Sequence, residues 1–224
     1  MSAINPPSDN SEQCEQLLSV KKALFVGAHP DDIESYCAGL IHMMRRRGTD
    51  VIFAVASRGG KGRSGAAKRN LESLRSRHQS DSAEILGGAR VVLYDYPDGS
   101  LPRYVEPFAD DLKVVISQEK PDVIFSWDPD YIYNPHPDHQ AAADSARTAT
   151  AGSEVCYYGT REPDLWVGCD EDVFRVKLES IRAHRTETPW YYYPLVKRVL
   201  LRRLIREGQK IGAKYAEVLR RATS

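Results

Sequence analysis

Apolar and polar positions alternate along the chain with two different periods. Short, nearly continuous apolar runs occupy 22–27, 50–57, 91–94 and 122–127, each bounded by polar or turn-forming residues. Runs of that kind predict parallel strands covered on both faces. Between them apolar residues recur at three- and four-residue spacing. The clearest case is 32–47, where Ile33, Tyr36, Cys37, Leu40, Ile41 and Met44 share one helical face and Gly48 stops the helix. Helices are also predicted over 66–86, ended by Gly87 and Gly88, over 106–119, broken by Pro121, and over 137–150, opened by Pro137. Beyond these, 155–158 and 165–167 read as strands and 170–184 as a helix. The remainder, 195–220, reads as one long final helix whose Arg and Lys form a solvated face between core-spaced Leu and Ile. Strands alternating with helices predict a single α/β domain with a mostly parallel sheet flanked by helices.

The domain is expected to span 22–224. Residues 1–13 are polar, contain Pro6-Pro7 and lack the basic and apolar regions of a signal peptide, so a flexible tail is expected over 1–21, with at most a helical turn over 12–18. Lys+Arg and Asp+Glu are equal at 31 each, so no bulk charge points to nucleic acid, and no apolar stretch is long enough to span a bilayer. Cys14, Cys37, Cys156 and Cys169 are scattered and form no CxxC pair, which argues against a thiolate zinc knuckle or a disulfide framework. The cytoplasm is the expected compartment. A homo-oligomer is left open.

The chemistry gathers where predicted strands end. Ala28-His29-Pro30-Asp31-Asp32-Ile33-Glu34 follows the first strand and opens the first helix, the place where open α/β sheets bind ligands. His29 and Asp32 can grip one metal ion, leaving Asp31 free for acid–base work. The fourth strand runs into a second cluster in which His136 and His139, three apart at a helix start, can face the same side. Catalytic zinc usually takes three His, Asp or Glu ligands and keeps one position for water. His29, Asp32 and one of the two later histidines would make that set. Asp31 or Asp32 alone could be an N-cap, but two such clusters at strand ends are hard to attribute to capping. Asp98, in the Asp98-Gly99 turn after the third strand, is a further pocket candidate. The glycine-rich loop 58–65 lacks the closing Lys-Ser/Thr of a phosphate-binding loop and reads as a flexible, solvated connection. Trp190, Tyr191, Tyr192 and Tyr193 offer either a stacking wall or core.

The first cluster followed by His136-Pro137-Asp138-His139 resembles the PIG-L/LmbE family of zinc-dependent de-N-acetylases. That family includes N-acetylglucosaminyl-phosphatidylinositol deacetylases and bacterial enzymes that deacetylate glucosaminyl intermediates of mycothiol and bacillithiol. The resemblance runs from about Lys22 to Lys214-Tyr215-Ala216-Glu217, which is similar to the family's closing Tyr-Ala-Glu. It implies a Rossmann-like fold, Zn²⁺ (or another divalent ion such as Fe²⁺) and a small-molecule amino-sugar or glycoconjugate substrate. Carried over by residue, it implies that His29, Asp32 and His139 ligate the metal and that Asp31 is the general base. It further implies that His136 stabilises the oxyanion and that Arg75 and Asp98 bind sugar hydroxyls. The chain departs from the family at Ser35-Tyr36-Cys37-Ala38-Gly39, at His78, at Gly59-Gly60-Lys61 and at Thr186-Glu187. None of these is a proposed ligand; all bear on the substrate pocket.

The expected reaction is hydrolysis of an N-acetyl group, with metal-activated water as nucleophile, Asp31 taking its proton and a charged His136 sharing the oxyanion. The competing readings are an amidase acting on a larger amide through the same site, a non-catalytic metal- or sugar-binding protein, and a metallophosphoesterase. The last is disfavoured because only one metal's worth of ligands is evident.

Overall fold

The computed structural model describes residues 4–62, 70–150 and 154–222. Its centre is a seven-stranded sheet. In chain order the strands are β1 (Lys22–Gly27), β2 (Asp50–Val55), β3 (Arg90–Leu93), β4 (Val123–Trp127), β5 (Val155–Tyr158), β6 (Leu165–Cys169) and β7 (Tyr215–Arg221). Across the sheet they run β3-β2-β1-β4-β5-β7-β6. The first five are mutually parallel, and β7 is antiparallel to both neighbours. β1 from Ala23 onward and all of β4 are buried, which is why these segments read as unbroken apolar runs. Phe25 on β1 stacks on Phe125 of β4 at 4.2 Å and meets Phe53 of β2 edge-on at 6.0 Å, tying the three central strands together.

The helices are α1 (Asn10–Leu18), α2 (Asp32–Arg46), α3 (Leu71–Ile85), α4 (Val105–Glu119), α5 (Pro137–Ala149), α6 (Glu171–Ala183) and α7 (Tyr193–Gln209). The start expected for α3, at 66–69, and the end of the glycine-rich loop, at 63–65, lie outside the described residues. α2 buries the apolar stripe read from the sequence and packs on α6 and β7. Among the described residues no helix is long and apolar enough to cross a membrane. The Rossmann-like α/β expectation holds.

Two expectations are corrected. The expected flexible tail carries α1, which docks on edge strand β6. Asn10 Nδ2 donates to the Trp166 carbonyl at 2.9 Å, Trp166 N donates back to Asn10 Oδ1 at 2.8 Å, and Leu17 and Leu18 are buried. The helix thus satisfies backbone groups on an otherwise open sheet edge. The final helix, expected to reach 220, ends at Gln209. The chain then turns through Gly212 at φ +69° and returns as β7. Tyr215, Ala216 and Leu219 suit either period, and pairing of β7 with β6 and β5 decides for the strand.

β1 lies between β2 and β4, so the chain leaves β1 toward one side of the sheet and β4 lies on the other. The crevice beyond the carboxyl ends of β1 and β4 is the topological switch point of the sheet, where such folds bind ligands.

Candidate metal centre

Both sequence clusters open into that crevice. His29, Asp31 and Asp32 follow β1, and His136 and His139 follow β4 at the mouth of α5. With Arg75, Asp98, Lys61, Gly62, Trp127 and Glu187 they line a cavity of about 600 Å³. Every site residue expected from the sequence is therefore in one pocket.

Asp32 is the hub. Its Oδ2 accepts from the backbone N–H groups of Ala28 (2.9 Å) and His29 (2.8 Å) and from Trp127 Nε1 (3.3 Å), while its Oδ1 lies 3.2 Å from His139 Nε2. Burial pushes this carboxyl up, but the imidazoles of His139 and His29 outweigh it and hold Asp32 well below the usual range. His139 presents Nε2 to Asp32 because its Nδ1 lies 3.1 Å from the Asn134 carbonyl and its ring stacks on Trp127 at 4.0 Å. A second nitrogen tied to a carbonyl is the usual way a ligating imidazole is oriented.

His29 places Nδ1 3.7 Å from Asp32 Oδ2. Its Nε2 lies 3.1 Å from Asp138 Oδ2 and 3.3 Å from Asp98 Oδ1. Asp138 also accepts from Gly99 N (2.6 Å) and Leu101 N (3.1 Å), so the loop after β3 and the start of α5 hold it rigidly against His29. Asp98 accepts from Lys61 N at 2.7 Å, so the loop after β2 helps build the wall and is not only a solvated connection. Among the described residues, potential ligand atoms of His29, His136 and His139 lie within 4.8 Å of one another, as do those of His29, Asp98 and Asp138. Buried imidazoles beside a carboxylate held low are a donor set suited to a divalent ion.

Asp31 is the strained residue. Its φ is +106°, a left-handed conformation that costs a non-glycine residue about 1–3 kcal/mol. The conformation is pinned from both sides. Asp31 N donates to Gln79 Oε1 (3.3 Å), and the Asp31 carbonyl accepts from Ser35 N (3.1 Å) and Ser35 Oγ (2.8 Å). Its side chain, 29% exposed toward the pocket, lies 3.6 Å from Arg75 Nη2. Desolvation raises its pKa to about 6, against the pull of Arg75. Arg75 itself is almost fully buried. It donates to the carbonyls of Pro30 (2.7 Å) and Gly59 (3.2 Å) and lies 3.5 Å from Glu187 Oε1. Its Nη2 thus braces the Asp31 turn, while Nη1 faces the Gly59 carbonyl and Glu187.

His136 is the N-cap of α5, its Nδ1 accepting from Asp138 N at 3.2 Å. Burial and the neighbouring His29 and His139 lower its pKa. With Nδ1 as acceptor the proton sits on Nε2. This arrangement favours a neutral donor over the charged imidazole expected from the sequence.

Four contributors were not singled out in advance: Trp127, Asp138, Gln79 and Glu187. Asp138 stood in plain view inside the second motif. Glu187 was visible only as a departure from the family pattern. Trp190 and Tyr191, 86% and 69% exposed, are neither core nor part of this pocket; Trp190 borders a separate surface cavity.

An open α/β sheet with a His/Asp cluster at its switch point defines an α/β protein with a candidate metal centre. Comparison makes this specific: the profile described as "PIG-L: GlcNAc-PI de-N-acetylase" matches residues 24–150, and the chain belongs to that family. It is 28% identical to the diacetylchitobiose deacetylase of Thermococcus kodakarensis over 92% of this chain and 85% of that protein. It is 27% identical to a probable N-acetyl-alpha-D-glucosaminyl L-malate deacetylase of Bacillus subtilis over 74% of this chain and 82% of that protein. A solved N,N'-diacetylchitobiose deacetylase from Pyrococcus horikoshii superposes with a TM-score of 0.84 at 25% identity, covering 99% of this chain and 95% of that one.

Proposed function

We propose that this protein hydrolyses the N-acetyl group of an N-acetylglucosamine-type sugar or glycoconjugate at a single divalent-metal site, with zinc as the ion. Family membership and deacetylase relatives supply the reaction class. The observation that carries the reading here is Asp31: a carboxylate held at positive φ beside Asp32, facing the pocket and steadied by Arg75 at 3.6 Å. A binding protein has no use for a spare carboxylate kept at that cost.

In this reading His29, Asp32 and His139 hold the ion, which when bound supplies a Lewis acid and brings the pKa of water to about 7. Asp31 accepts the proton of the attacking water and returns it to the departing amine. Arg75 and Gln79 keep it in place. The Nε2–H of His136 points a neutral donor at the developing oxyanion, a role whose loss typically costs about 10²–10³-fold in rate. Asp98 accepts from a sugar hydroxyl. The cytoplasm is the proposed compartment, in keeping with the four free cysteines.

The test is product analysis by NMR after incubating the zinc-loaded protein with N-acetylglucosaminides. Equimolar acetate and free amine are expected. A different carboxylic acid from longer N-acyl analogues, with no acetate, would replace deacetylase by larger-amide amidase. No acid from any substrate would overturn hydrolysis altogether.

A further inference from the structure

A second cavity, of about 910 Å³, adjoins the metal pocket, and Tyr36 lines both. Tyr36 lies one helical turn beyond Asp32 on α2, and its ring meets Trp127 edge-on at 5.0 Å. The two spaces are thus one aromatic side chain apart.

The wall of this cavity carries more positive charge than the fold uses. Lys210 Nζ and Arg206 Nε both lie 2.8 Å from the carboxylate of Glu207, which serves the two of them. Glu217, the other carboxylate on the wall, is matched by buried Lys177 at 2.7 Å. Arg161 and Arg203 have no carboxylate partner among the described residues. Arg203 is nevertheless fixed: its Nη2 donates to the Ser35 carbonyl at 2.8 Å and its guanidinium lies 4.5 Å from the centre of the Tyr36 ring. A carbonyl and an aromatic face orient the group without neutralising it, and they leave further N–H donors for a ligand. Arg161 follows β5, its backbone held by the Tyr131 carbonyl at 2.8 Å and its side chain exposed at the cavity. Tyr133 adds an aromatic surface at the rim.

We infer that this cavity is a subsite for an anionic group, a carboxylate or phosphate, carried by the aglycone while the N-acetylated sugar occupies the metal pocket. The inference rests on the deacetylase reading for the occupant of that pocket. The oriented guanidinium of Arg203, with the exposed, unneutralised one of Arg161 at the same cavity, can recognise a carboxylate or phosphate through charge-assisted hydrogen bonds. A neutral second sugar would offer the half-buried Arg203 no countercharge. The cavity therefore separates this protein from a deacetylase tuned to an uncharged disaccharide.

The test uses matched glycosides, each as both anomers: carboxymethyl N-acetylglucosaminide, its methyl ester and a 2-phosphoethyl analogue. The wild-type zinc protein should favour a charged glycoside over the ester in kcat/KM by about ten-fold or more, the scale of one hydrogen bond to a charged group. Whether carboxylate or phosphate is preferred names the anion. The charged-to-ester ratio should fall toward one in Arg161→Ala and Arg203→Gln and invert in Arg161→Glu. It should survive in Arg175→Ala, which removes an exposed arginine elsewhere, on α6. Equal use of charged and neutral glycosides by the wild type, or a ratio unaltered in the Arg161 variants, would overturn the inference. If no glycoside is hydrolysed, the deacetylase reading fails, and calorimetric titration of the charged glycosides decides the subsite separately. Binding that needs Arg161 and weakens in high salt keeps it; no binding overturns it.

Discussion

Lys177 on α6 and Glu217 on β7 meet at 2.7 Å with side chains 2% and 1% exposed, directly behind the helix that opens with Asp32. Glu217 also accepts from Gly39 N (2.9 Å) and Leu40 N (2.8 Å), and Lys177 Nζ donates to the carbonyls of Glu34 (2.9 Å) and Ser35 (3.2 Å). The pair thus pins the first two turns of α2 from behind while the metal residues project in front. Gly39 allows the close approach: a Cβ there would lie 2.9 Å from Cys169 Sγ and 3.2 Å from the Glu217 carboxylate. This gives the closing Tyr215-Ala216-Glu217 a structural role.

Removing one partner of such a pair leaves an uncompensated buried charge. Lys177→Ala is expected to destabilise the fold by about 3–5 kcal/mol. Replacing both partners with apolar residues should cost less than either single change. Denaturant unfolding measures both; a loss below 1 kcal/mol in Lys177→Ala would contradict the pinning role.

Arg220 and Asp128 form a second anchor, at the end of β4. Arg220 Nε and Nη2 donate to the two oxygens of fully buried Asp128 at 2.8 and 2.7 Å. Burial pushes Asp128 up, but Arg220, Thr160 and the backbone N–H groups outweigh it and the net shift is downward. A lowered carboxylate pKa adds stability above its unfolded value of about 3.9, and that stability is lost as pH falls through the lower folded value. Arg220→Ala should therefore be destabilised at pH 7 by about 3–5 kcal/mol. The gap from wild type should close below pH ~3.9. A gap independent of pH would mean that the pair matters only through packing.

In the proposed reading Asp138, 3.1 Å from His29 Nε2, orients His29 rather than joining the reaction. Asp138→Asn should lower zinc affinity by about 10–100-fold, the usual effect of losing the partner of a ligating imidazole. Competition with a chromophoric chelator measures it. Unchanged affinity would show that His29 needs no such support or is not a ligand.

The pKa of Asp31, raised to about 6 without a metal, sets an upper limit for the acidic limb of kcat/KM. A bound divalent cation favours the carboxylate and moves the limb lower. Because the base acts deprotonated, activity should rise with pH through a value at or below about 6. A limb centred above 7 would assign that ionisation to another group.

Much of this was legible in the sequence because strand ends are marked by apolar runs and the chemistry follows them directly. His29, Asp31, Asp32, Asp98, His136 and His139 all come from such junctions, and all line one pocket. What could not be read depended on partners distant in sequence. The β7 segment predicts a helix because Tyr215, Ala216 and Leu219 fit a helical spacing, and only its antiparallel neighbours β5 and β6 decide otherwise. The docking of α1 depends on Asn10 meeting Trp166, 156 residues away. Arg75, which the family resemblance assigns to sugar hydroxyls, lines the pocket and also donates to the carbonyls of Pro30 and Gly59, contacts that no local pattern announces.

The central claim is that Asp31 does chemistry while its neighbours hold the ion. The most direct measurement compares bound zinc and acetate release in wild type, Asp31→Ala and His139→Ala on one N-acetylglucosaminide. The account predicts stoichiometric zinc with turnover reduced by at least about 10²-fold in Asp31→Ala, the scale of a lost general base. It predicts loss of zinc in His139→Ala. Acetate release at the wild-type rate by zinc-loaded Asp31→Ala would contradict it.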